Sequence, residues 1–157
     1  MEVVIEISKN SNLKYEYDQE KNKIFLDRVL HNSNVFPYNY GFIPNTLAPD
    51  NDPIDIILIS SHSLLPGSFV KVKIIGIIET SDEKGKDDKV LCVLDNKIDN
   101  EYKDVNEVSE LQEHELNKIL YFLRHYKDCE DGKFIEIGEV KNKLDALEFI
   151  RKYSLTN

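Results

Sequence analysis

The sequence comprises 157 residues, of which 41% are hydrophobic and 31% are charged, a balance typical of a globular protein and not of a disordered or fibrous one. The 29 acidic residues outnumber the 20 Lys and Arg residues, and the resulting net charge of -9 repels nucleic-acid backbones and anionic membranes. A chain of this length can bury a core without disulfide or metal cross-links, so we expect a single domain over residues 1–157.

The cysteines and the N-terminal residues favour a reduced, cytoplasmic protein. Cys92 lies in the apolar run KVLCVL and Cys129 in KDCEDG, and neither has a CxxC or Cys/His spacing. The first ten residues, MEVVIEISKN, contain no basic segment followed by a long apolar core. No run approaches the roughly 20 apolar residues of a membrane-spanning helix.

The first two thirds of the chain are predicted to form short strands. These segments are rich in β-branched or aromatic residues and are separated by Asn, Asp, Gly and Pro. The predicted strands are EVVIEI (2–7), KYEY (14–17), KIFLDRV (23–29), IDIILI (54–59), FVKVKIIGII (69–78) and KVLCVL (89–94). Because no helical segment interrupts them, we expect a largely antiparallel sheet, which at this size favours a small closed barrel.

The last third of the chain changes to helical periodicity. A first helix is predicted over residues 110–127, after Ser109, with Gln112 completing a capping box. Its apolar side chains recur at helical spacing, at Leu116, Ile119, Leu120 and Leu123. A second helix is predicted after Asn142, with Ala146, Phe149, Ile150 and Tyr153 along one stripe. Tyr121 and Phe122 lie away from the main stripe of the first helix, which makes them candidates for subunit contacts.

Several charged residues interrupt the predicted strands. Glu6 lies in an otherwise apolar strand, and Lys14, Glu16 and Arg28 lie in the two strands that follow it. A single charge of this kind usually marks a solvated face of a sheet. Their occurrence in consecutive strands favours the hypothesis that cationic and anionic groups together line one end of the barrel.

Two short acidic clusters follow. APDNDPIDIIL places Asp50, Asp52 and Asp55 directly before and within a strand, and TSDEKGKDDK carries Asp82, Glu83, Asp87 and Asp88 around a turn. Taken alone, the second cluster reads as a hydrophilic hairpin loop. If the two clusters converge, their carboxylates repel one another unless they share protons or bind cations. Carboxylate oxygens select hard ions such as Mg²⁺, Mn²⁺ or Ca²⁺.

Other common sites do not match. The first acidic cluster is not an EF-hand, because that loop requires Gly at its sixth position and Glu at its twelfth, where this chain has Asp55 and Ser61. The sequence contains no GxSxG, Walker A, HExxH or GxGxxG pattern. Its four histidines, His31, His62, His114 and His125, lack the spacing of metal ligands.

Eight segments of the chain resemble, in order, the soluble family I inorganic pyrophosphatases. They are VVIEI, KYEYD, LDRV, FPYNYGFIPNTL, DNDPIDIIL, LPGS, DEKGKDDK and HYKD, and they extend from residue 3 to about residue 134. The resemblance implies an α+β fold that is mainly β, with a five-stranded OB-like closed barrel and two α-helices on its C-terminal side. It also implies hydrolysis of pyrophosphate to two phosphates with several Mg²⁺ ions per site, for which Mn²⁺ can substitute.

The resemblance also assigns roles to individual residues. Asp52 matches the general base, and the metal positions are Asp50, Asp55, Asp82 and Asp87. The phosphate-binding positions are Lys14, Arg28, Tyr40, Lys89, Tyr126 and Lys127. Glu6, Glu16 and Glu83 match supporting or outer metal positions. One departure is Phe36, which stands where many members of the family have a tyrosine, so one hydroxyl of the site is missing.

Two other functions remain as alternatives. OB-like barrels commonly bind oligonucleotides or saccharides, although the net charge of -9 and the lack of a basic stripe argue against a nucleic-acid ligand. The chain could also be a family member that has kept the fold and lost the activity, although every expected carboxylate is in place. We expect pyrophosphate as the substrate, no membrane partner, and a homo-oligomer, with a hexamer favoured by the resemblance.

Overall fold

The computed structural model describes residues 1–155, which form nine β-strands and two α-helices. The strands are β1 (Glu2–Ile7), β2 (Leu13–Asp18), β3 (Lys23–Val29), β4 (Asn39–Ile43), β5 (Ile54–Ile59), β6 (Phe69–Asp82), β7 (Gly85–Lys86), β8 (Lys89–Leu94) and β9 (Ile135–Lys141). The helices are α1 (Glu113–His125) and α2 (Lys143–Lys152). None of the helices within these residues is long and apolar enough to cross a membrane.

Five strands close into a ring. Strand β1 pairs with β4, β4 with β5, β5 with β8, β8 with β6, and β6 again with β1. Every pairing in the ring is antiparallel except that of β5 with β8, which is parallel. The long strand β6 also carries the short strand β7 and the later strand β9. The predicted mainly-β fold with a five-stranded barrel and two helices is therefore confirmed.

The core follows the alternation of side chains along the strands. In β5 and β8, Ile57 and Leu91 belong to an apolar cluster that includes residues of α1, whereas Ile56 and Val90 belong to a second cluster that includes residues of α2. Successive residues of a strand point to opposite faces, and here both faces are covered. This explains why IDIILI and KVLCVL are almost continuously apolar.

The sequence analysis did not predict three strands: the two-residue strand β7 and the longer strands β4 and β9. Strand β4 contains Gly41, and β9 contains Gly138 among charged residues, and both features lower the propensity for strand formation. At Gly41 a side chain is excluded, because a Cβ atom would lie 1.9 Å from the carbonyl oxygen of Val4 in the paired strand β1. Strand β6 is also longer than predicted, since it continues to Asp82.

The helices lie close to their predicted positions, with corrections for α1. Its N-cap is Gln112, which forms a capping box with Glu115, whereas Ser109 lies in a preceding 3₁₀ turn. The helix ends at His125, two residues before the predicted boundary. Phe122 is buried, so the expectation that it contributes to subunit contacts is wrong, while Tyr121 is 60% exposed.

Strands β2 and β3 form a separate two-stranded sheet, which we call the β2–β3 hairpin. The backbone N–H of Tyr17 in this hairpin donates a hydrogen bond to Glu6 Oε2 of β1 at 2.8 Å. The hairpin therefore lies beside the barrel, next to the end of β1. Both cysteines are free, with Cys92 buried and Cys129 exposed.

Candidate active site

A cavity of about 580 Å³ lies between the end of the barrel and the β2–β3 hairpin. All fourteen residues that the sequence analysis assigned to the site line this cavity. They are Glu6, Lys14, Glu16, Arg28, Tyr40, Asp50, Asp52, Asp55, Asp82, Glu83, Asp87, Lys89, Tyr126 and Lys127. The predicted convergence of the two acidic clusters with the cationic strand residues is therefore present in the structure.

The first acidic cluster is shaped by a tight turn before β5. The N–H of Ala48 donates to the carbonyl oxygen of Asp52 at 2.8 Å, and Asn51 has a positive φ of 68°, which asparagine tolerates. The N–H of Asp52 donates to Asp50 Oδ1 at 3.1 Å, which orients the Asp50 carboxylate. The side chain of Asp52 lines the cavity and has no hydrogen-bond or ion-pair partner within residues 1–155.

Lys89 joins the two acidic clusters. Its ammonium donates to Asp55 Oδ2 at 2.7 Å and to Asp87 Oδ2 at 2.6 Å, and its side chain is only 1% exposed. The parallel pairing of β5 and β8 creates this contact, because Asp55 and Lys89 are direct register partners. Burial disfavours the charged ammonium, but Asp55 and the other neighbouring groups, Asp87 among them, together outweigh it and raise the pKa of Lys89 well above its usual value.

One ammonium does not balance the three carboxylates around it. Burial, together with the charge of Asp87, raises the pKa of Asp50 to about 6, and burial raises that of Asp55 to about 6 despite Lys89. Burial opposes ionisation of Asp87 as well, but Lys89 lowers the pKa of this carboxyl below its usual value. The cluster therefore retains a negative potential that favours protons or added cations.

The arrangement of the predicted metal ligands differs in part from the expectation. No three Asp, Glu, His or Cys side chains within the described residues are spaced as ligands of one ion. The ammonium of Lys89 lies between two of the candidate carboxylates instead, and Asp82 accepts a hydrogen bond from Lys127 at 3.0 Å. The donor set still fits hard divalent ions, because Asp50, Asp55 and Asp87 present carboxylate oxygens to one pocket with their charge only partly balanced.

Lys127 and Lys14, two further cations of the pocket, are each held by carboxylates. Lys127 contacts Glu83 at 3.3 Å in addition to Asp82, and Lys14 contacts Glu16 at 3.0 Å. Burial disfavours the charged form of both lysines, but their neighbours outweigh it and raise the pKa of each above its usual value: Tyr126, Asp82 and Glu83 for Lys127, and Glu16 and Asp27 for Lys14. All of these side chains line the cavity, so an anion that enters it can compete for the two ammonium groups.

Three aromatic residues pack behind the charged groups. The rings of Tyr40 and Tyr126 lie 5.5 Å and 6.1 Å from the ring of Phe36, which is 2% exposed. Burial raises the pKa of Tyr40 well above its usual value and raises that of Tyr126 as well. Both tyrosine hydroxyls therefore keep their protons near neutral pH and can donate hydrogen bonds.

Glu6 stands apart from the other carboxylates because it is largely buried beside the β2–β3 hairpin. Burial raises its pKa to about 8, although the hydrogen bond from the Tyr17 N–H opposes this shift. Glu6 thus connects β1 to the hairpin that carries Lys14 and Arg28.

The sequence analysis missed two acidic residues of this region. Asp27 accepts a hydrogen bond from Lys14 at 3.3 Å, and Glu130 accepts one from Arg28 at 2.6 Å. Asp27 could have been predicted as a residue of this region from the sequence, because it is adjacent to Arg28 in the strand KIFLDRV. Glu130 could not have been, because it pairs with a residue 102 positions away in the chain.

Comparison with known proteins gives one consistent family. The protein-family model for inorganic pyrophosphatase matches residues 3–156 of this chain. The inorganic pyrophosphatase of Saccharolobus solfataricus is 45% identical over 150 residues, which cover 96% of this chain and 87% of that protein. That of Nanoarchaeum equitans is 45% identical over 148 residues, which cover 94% of this chain and 91% of that protein.

The fold gives the same result. The solved structure of the Helicobacter pylori inorganic pyrophosphatase superposes with a TM-score of 0.96 at 40% sequence identity, covering 98% of this chain and 90% of that one. Near-complete coverage in both directions extends the match to the barrel, both helices and the pocket. The chain belongs to the soluble family I inorganic pyrophosphatases, Mg²⁺-dependent enzymes that hydrolyse inorganic pyrophosphate.

Proposed function

We propose that this enzyme hydrolyses pyrophosphate with Asp52 as the general base, on Mg²⁺ held by Asp50, Asp55 and Asp87. The observation that carries the proposal is the convergence of these carboxylates in one cavity with Lys14, Arg28 and Lys127. Bound Mg²⁺ would lower the pKa of a water from 15.7 toward roughly 7 and would offset the charge of the substrate.

The electrostatics of the cluster support its assignment as the metal site. Asp50 and Asp55 ionise only near pH 6 in the metal-free protein, because burial and neighbouring charge oppose ionisation. A divalent cation would offset the cost of ionising Asp50 and Asp55, so we expect metal binding to be favoured at a pH at which both carboxyl groups have lost their protons. Asp82 and Asp87 would serve further ions that accompany the substrate, with Glu6, Glu16 and Glu83 in outer positions. We propose several Mg²⁺ ions per site, with Mn²⁺ able to substitute.

The free carboxylate of Asp52 supports its role as the base. Its side chain is exposed to the cavity and has no partner among the described residues, while its N–H holds the neighbouring Asp50 at 3.1 Å. A carboxylate with no competing hydrogen bond can accept the proton of the attacking water. Its neighbours Asp50 and Asp55, by contrast, are constrained by hydrogen bonds.

The cations and tyrosines would bind the phosphate groups. Lys14, Arg28 and Lys127 reach the cavity from the β2–β3 hairpin and from the segment after α1, so they approach an anion from two sides. They would stabilise the negative charge that develops on the leaving phosphate, as would the hydroxyls of Tyr40 and Tyr126. Lys89 donates to Asp55 and Asp87, and we propose that it acts on phosphate through its charge.

We also propose that residues 1–157 act as one domain in a cytoplasmic homo-oligomer, with a hexamer favoured. The exposed Tyr121 on α1 and the exposed Phe25 and Leu26 on β3 support association of subunits, because apolar groups of this size gain from burial. Sedimentation or light scattering of the purified protein measures the mass directly.

Release of inorganic phosphate tests the proposed function. We expect rapid release from pyrophosphate with Mg²⁺ and almost none after chelation with EDTA. A phosphomonoester serves as the control substrate and should react far more slowly. Release that survives complete removal of divalent ions would contradict the metal-dependent reaction, and no release under any metal condition would show that this member has lost the activity.

A further inference from the structure

Arg28 and Glu130 form an ion pair that the established activity does not explain. Arg28 Nη1 donates to Glu130 Oε1 at 2.6 Å, which is short even for a charge-assisted hydrogen bond. Arg28 lies on β3, and Glu130 lies in the segment between α1 and β9. The pair therefore joins the β2–β3 hairpin to the segment after α1, in which Lys127 and Lys133 line the cavity.

The pair is buried but incompletely satisfied. Only 6% of the Glu130 side chain and 20% of the Arg28 side chain are exposed. Within residues 1–155, Glu130 Oε2 and Arg28 Nε are both buried without a hydrogen-bond partner. Arginine and carboxylate commonly pair through two parallel hydrogen bonds, and this pair makes only one. The guanidinium thus keeps most of its five N–H donors free of Glu130.

The surrounding backbone holds the two residues at a fixed separation. Asn32, four residues after Arg28, donates through Nδ2 to the carbonyl oxygens of Tyr126 and Asp128 at 3.2 Å and 2.9 Å. The N–H of Glu130 donates to the carbonyl oxygen of Lys127 at 3.1 Å, which closes a turn. The chain after β3 is thereby attached to the end of α1 beside the ion pair.

The same segment also reaches the second acidic cluster. Lys127, three residues before Glu130, contacts Asp82 and Glu83. The segment from Lys127 to Glu130 thus makes two contacts. Glu130 contacts the β2–β3 hairpin, and Lys127 contacts the end of β6 and the turn that follows it. The position of this segment therefore fixes the distance between Arg28 and Lys127, which are both proposed to bind the same substrate.

We propose that Glu130 is a positioning residue for Arg28: its single hydrogen bond anchors Nη1 and holds the side chain at the cavity, where the N–H donors other than the buried Nε can bind the phosphate. The inference rests on the proposed phosphate-binding role of Arg28. Without Glu130, the Arg28 side chain on the hairpin can adopt other rotamers, and a misplaced donor stabilises the transition state poorly.

The test is a double-mutant cycle of Glu130→Gln and Arg28→Ala, measured as kcat and KM for Mg²⁺-pyrophosphate. We expect Glu130→Gln to lower kcat about tenfold, since misplacement of a binding group by about 1 Å can cost up to about 100-fold. KM should not rise, because the substitution removes a negative charge near an anion site. In the Arg28→Ala background, Glu130→Gln should have almost no further effect.

Two further variants separate positioning from folding. Glu130→Asp keeps the charge and should restore part of kcat, and it provides the measurement if Glu130→Gln does not fold. Asp131→Asn is the matched control, because Asp131 is an exposed carboxylate next to Glu130, and it should leave kcat unchanged. Binding of inorganic phosphate, followed by calorimetry, gives a readout other than turnover and should weaken in Arg28→Ala.

The outcomes distinguish this inference from the proposed function. An unchanged kcat in Glu130→Gln together with a reduced kcat in Arg28→Ala would overturn the positioning role alone. A loss in Glu130→Gln that persists in the Arg28→Ala background would show that Glu130 acts by another route. If Arg28→Ala itself retains full activity and phosphate binding, both the role of Arg28 and the inference about Glu130 are wrong.

Discussion

Lys89 and Asp55 are register partners on adjacent parallel strands, and their ammonium and carboxylate groups lie 2.7 Å apart in the centre of the acidic site. The same ammonium is 2.6 Å from Asp87, so one buried cation is shared by two carboxylates from different acidic clusters. This contact gives the metal-free protein a fixed positive charge at the position where negative charge is most concentrated. Lys89 therefore offsets part of the repulsion between the carboxylates when no metal ion is bound, and the rest of their negative charge remains unbalanced.

Replacement of Lys89 with Met should destabilise the metal-free protein strongly. The substitution leaves Asp55 and Asp87 close together without their cation, and removing one partner of a buried ion pair costs about 3–5 kcal/mol. Because the proposed metal ligands Asp50, Asp55 and Asp87 all remain, Mg²⁺ should stabilise Lys89→Met more than it stabilises the wild type. Melting temperatures with EDTA and with saturating Mg²⁺ measure both effects.

The matched control is Lys86→Met, since Lys86 is a nearby lysine that is 52% exposed and paired with Asp88 at 3.4 Å. Although Asp88 is buried, the Lys86 ammonium is exposed to solvent and the N–H of Thr80 still donates to Asp88 Oδ1 at 3.1 Å, so the melting temperature should fall much less than in Lys89→Met. Equal destabilisation by the two substitutions would show that the buried contact has no special role.

Replacement of Asp52 with Asn should separate turnover from metal binding. A positioned general base contributes typically about 100- to 10,000-fold to a rate, and asparagine cannot accept the proton. We expect kcat to fall within this range while the affinity for Mg²⁺ changes only slightly, because the proposed ligands Asp50, Asp55 and Asp87 remain. Phosphate release and titration calorimetry with Mg²⁺ are the two measurements, and unchanged turnover would defeat the assignment.

The metal-free protein should lose stability as the pH rises from 5 to 8. Burial raises the pKa of Asp50 and Asp55 from 3.8 to about 6, and that of Glu6 from 4.5 to about 8. A group with a raised folded-state pKa contributes stability that is full below its unfolded value and is lost as the pH passes the folded value. The pKa of Asp87 is lowered from 3.8, so this group changes the stability only below about pH 3.8, outside the range from pH 5 to 8.

Thermal melting in EDTA at several pH values tests this dependence. Saturating Mg²⁺ should flatten the decline, because the ion binds the deprotonated carboxylates and compensates their repulsion. A melting temperature in EDTA that is constant or rises between pH 5 and 8 would show that these carboxylates are not strained in the folded state.

The local part of the site was predictable from sequence, and the long-range part was not. Asp50, Asp52 and Asp55 could be recognised as a carboxylate cluster because six consecutive positions carry both their charge and the start of a strand, while their individual roles came from the family resemblance. The position of Lys89 between Asp55 and Asp87 depends on a parallel register of β5 with β8, whereas the sequence favoured antiparallel pairing. The partner of Arg28 lies 102 residues away, beyond any spacing rule.

The strands illustrate the same limit. Continuous apolar runs such as KVLCVL were recognised because burial on both faces leaves a strong signal. Strand β4 was missed because Gly41 weakens the pattern, and the reason for that glycine is the close approach of Val4 in another strand. Because Gly41 is required by a contact with another strand, the residues around it in the sequence do not indicate that it lies in a strand.

Replacement of Phe36 with Tyr should produce a modest change in kcat or in its pH dependence. The Phe36 ring packs against Phe122 at 4.6 Å and lies within about 6 Å of Tyr40 and Tyr126, which line the cavity. An added hydroxyl can join their hydrogen-bond network, but a buried hydroxyl that finds no partner costs about 1–3 kcal/mol of stability. Phe25→Tyr, at a 45% exposed position, is the control for a tyrosine outside the pocket.

The pH profile of kcat and the melting temperature together decide between these outcomes. A shifted profile with unchanged stability indicates that the hydroxyl is hydrogen-bonded and acts on the reaction. A lower melting temperature with an unchanged profile indicates that the pocket is packed for phenylalanine. If neither quantity changes, the hydroxyl is dispensable, and the tyrosines and cations already present supply the donors that the substrate requires.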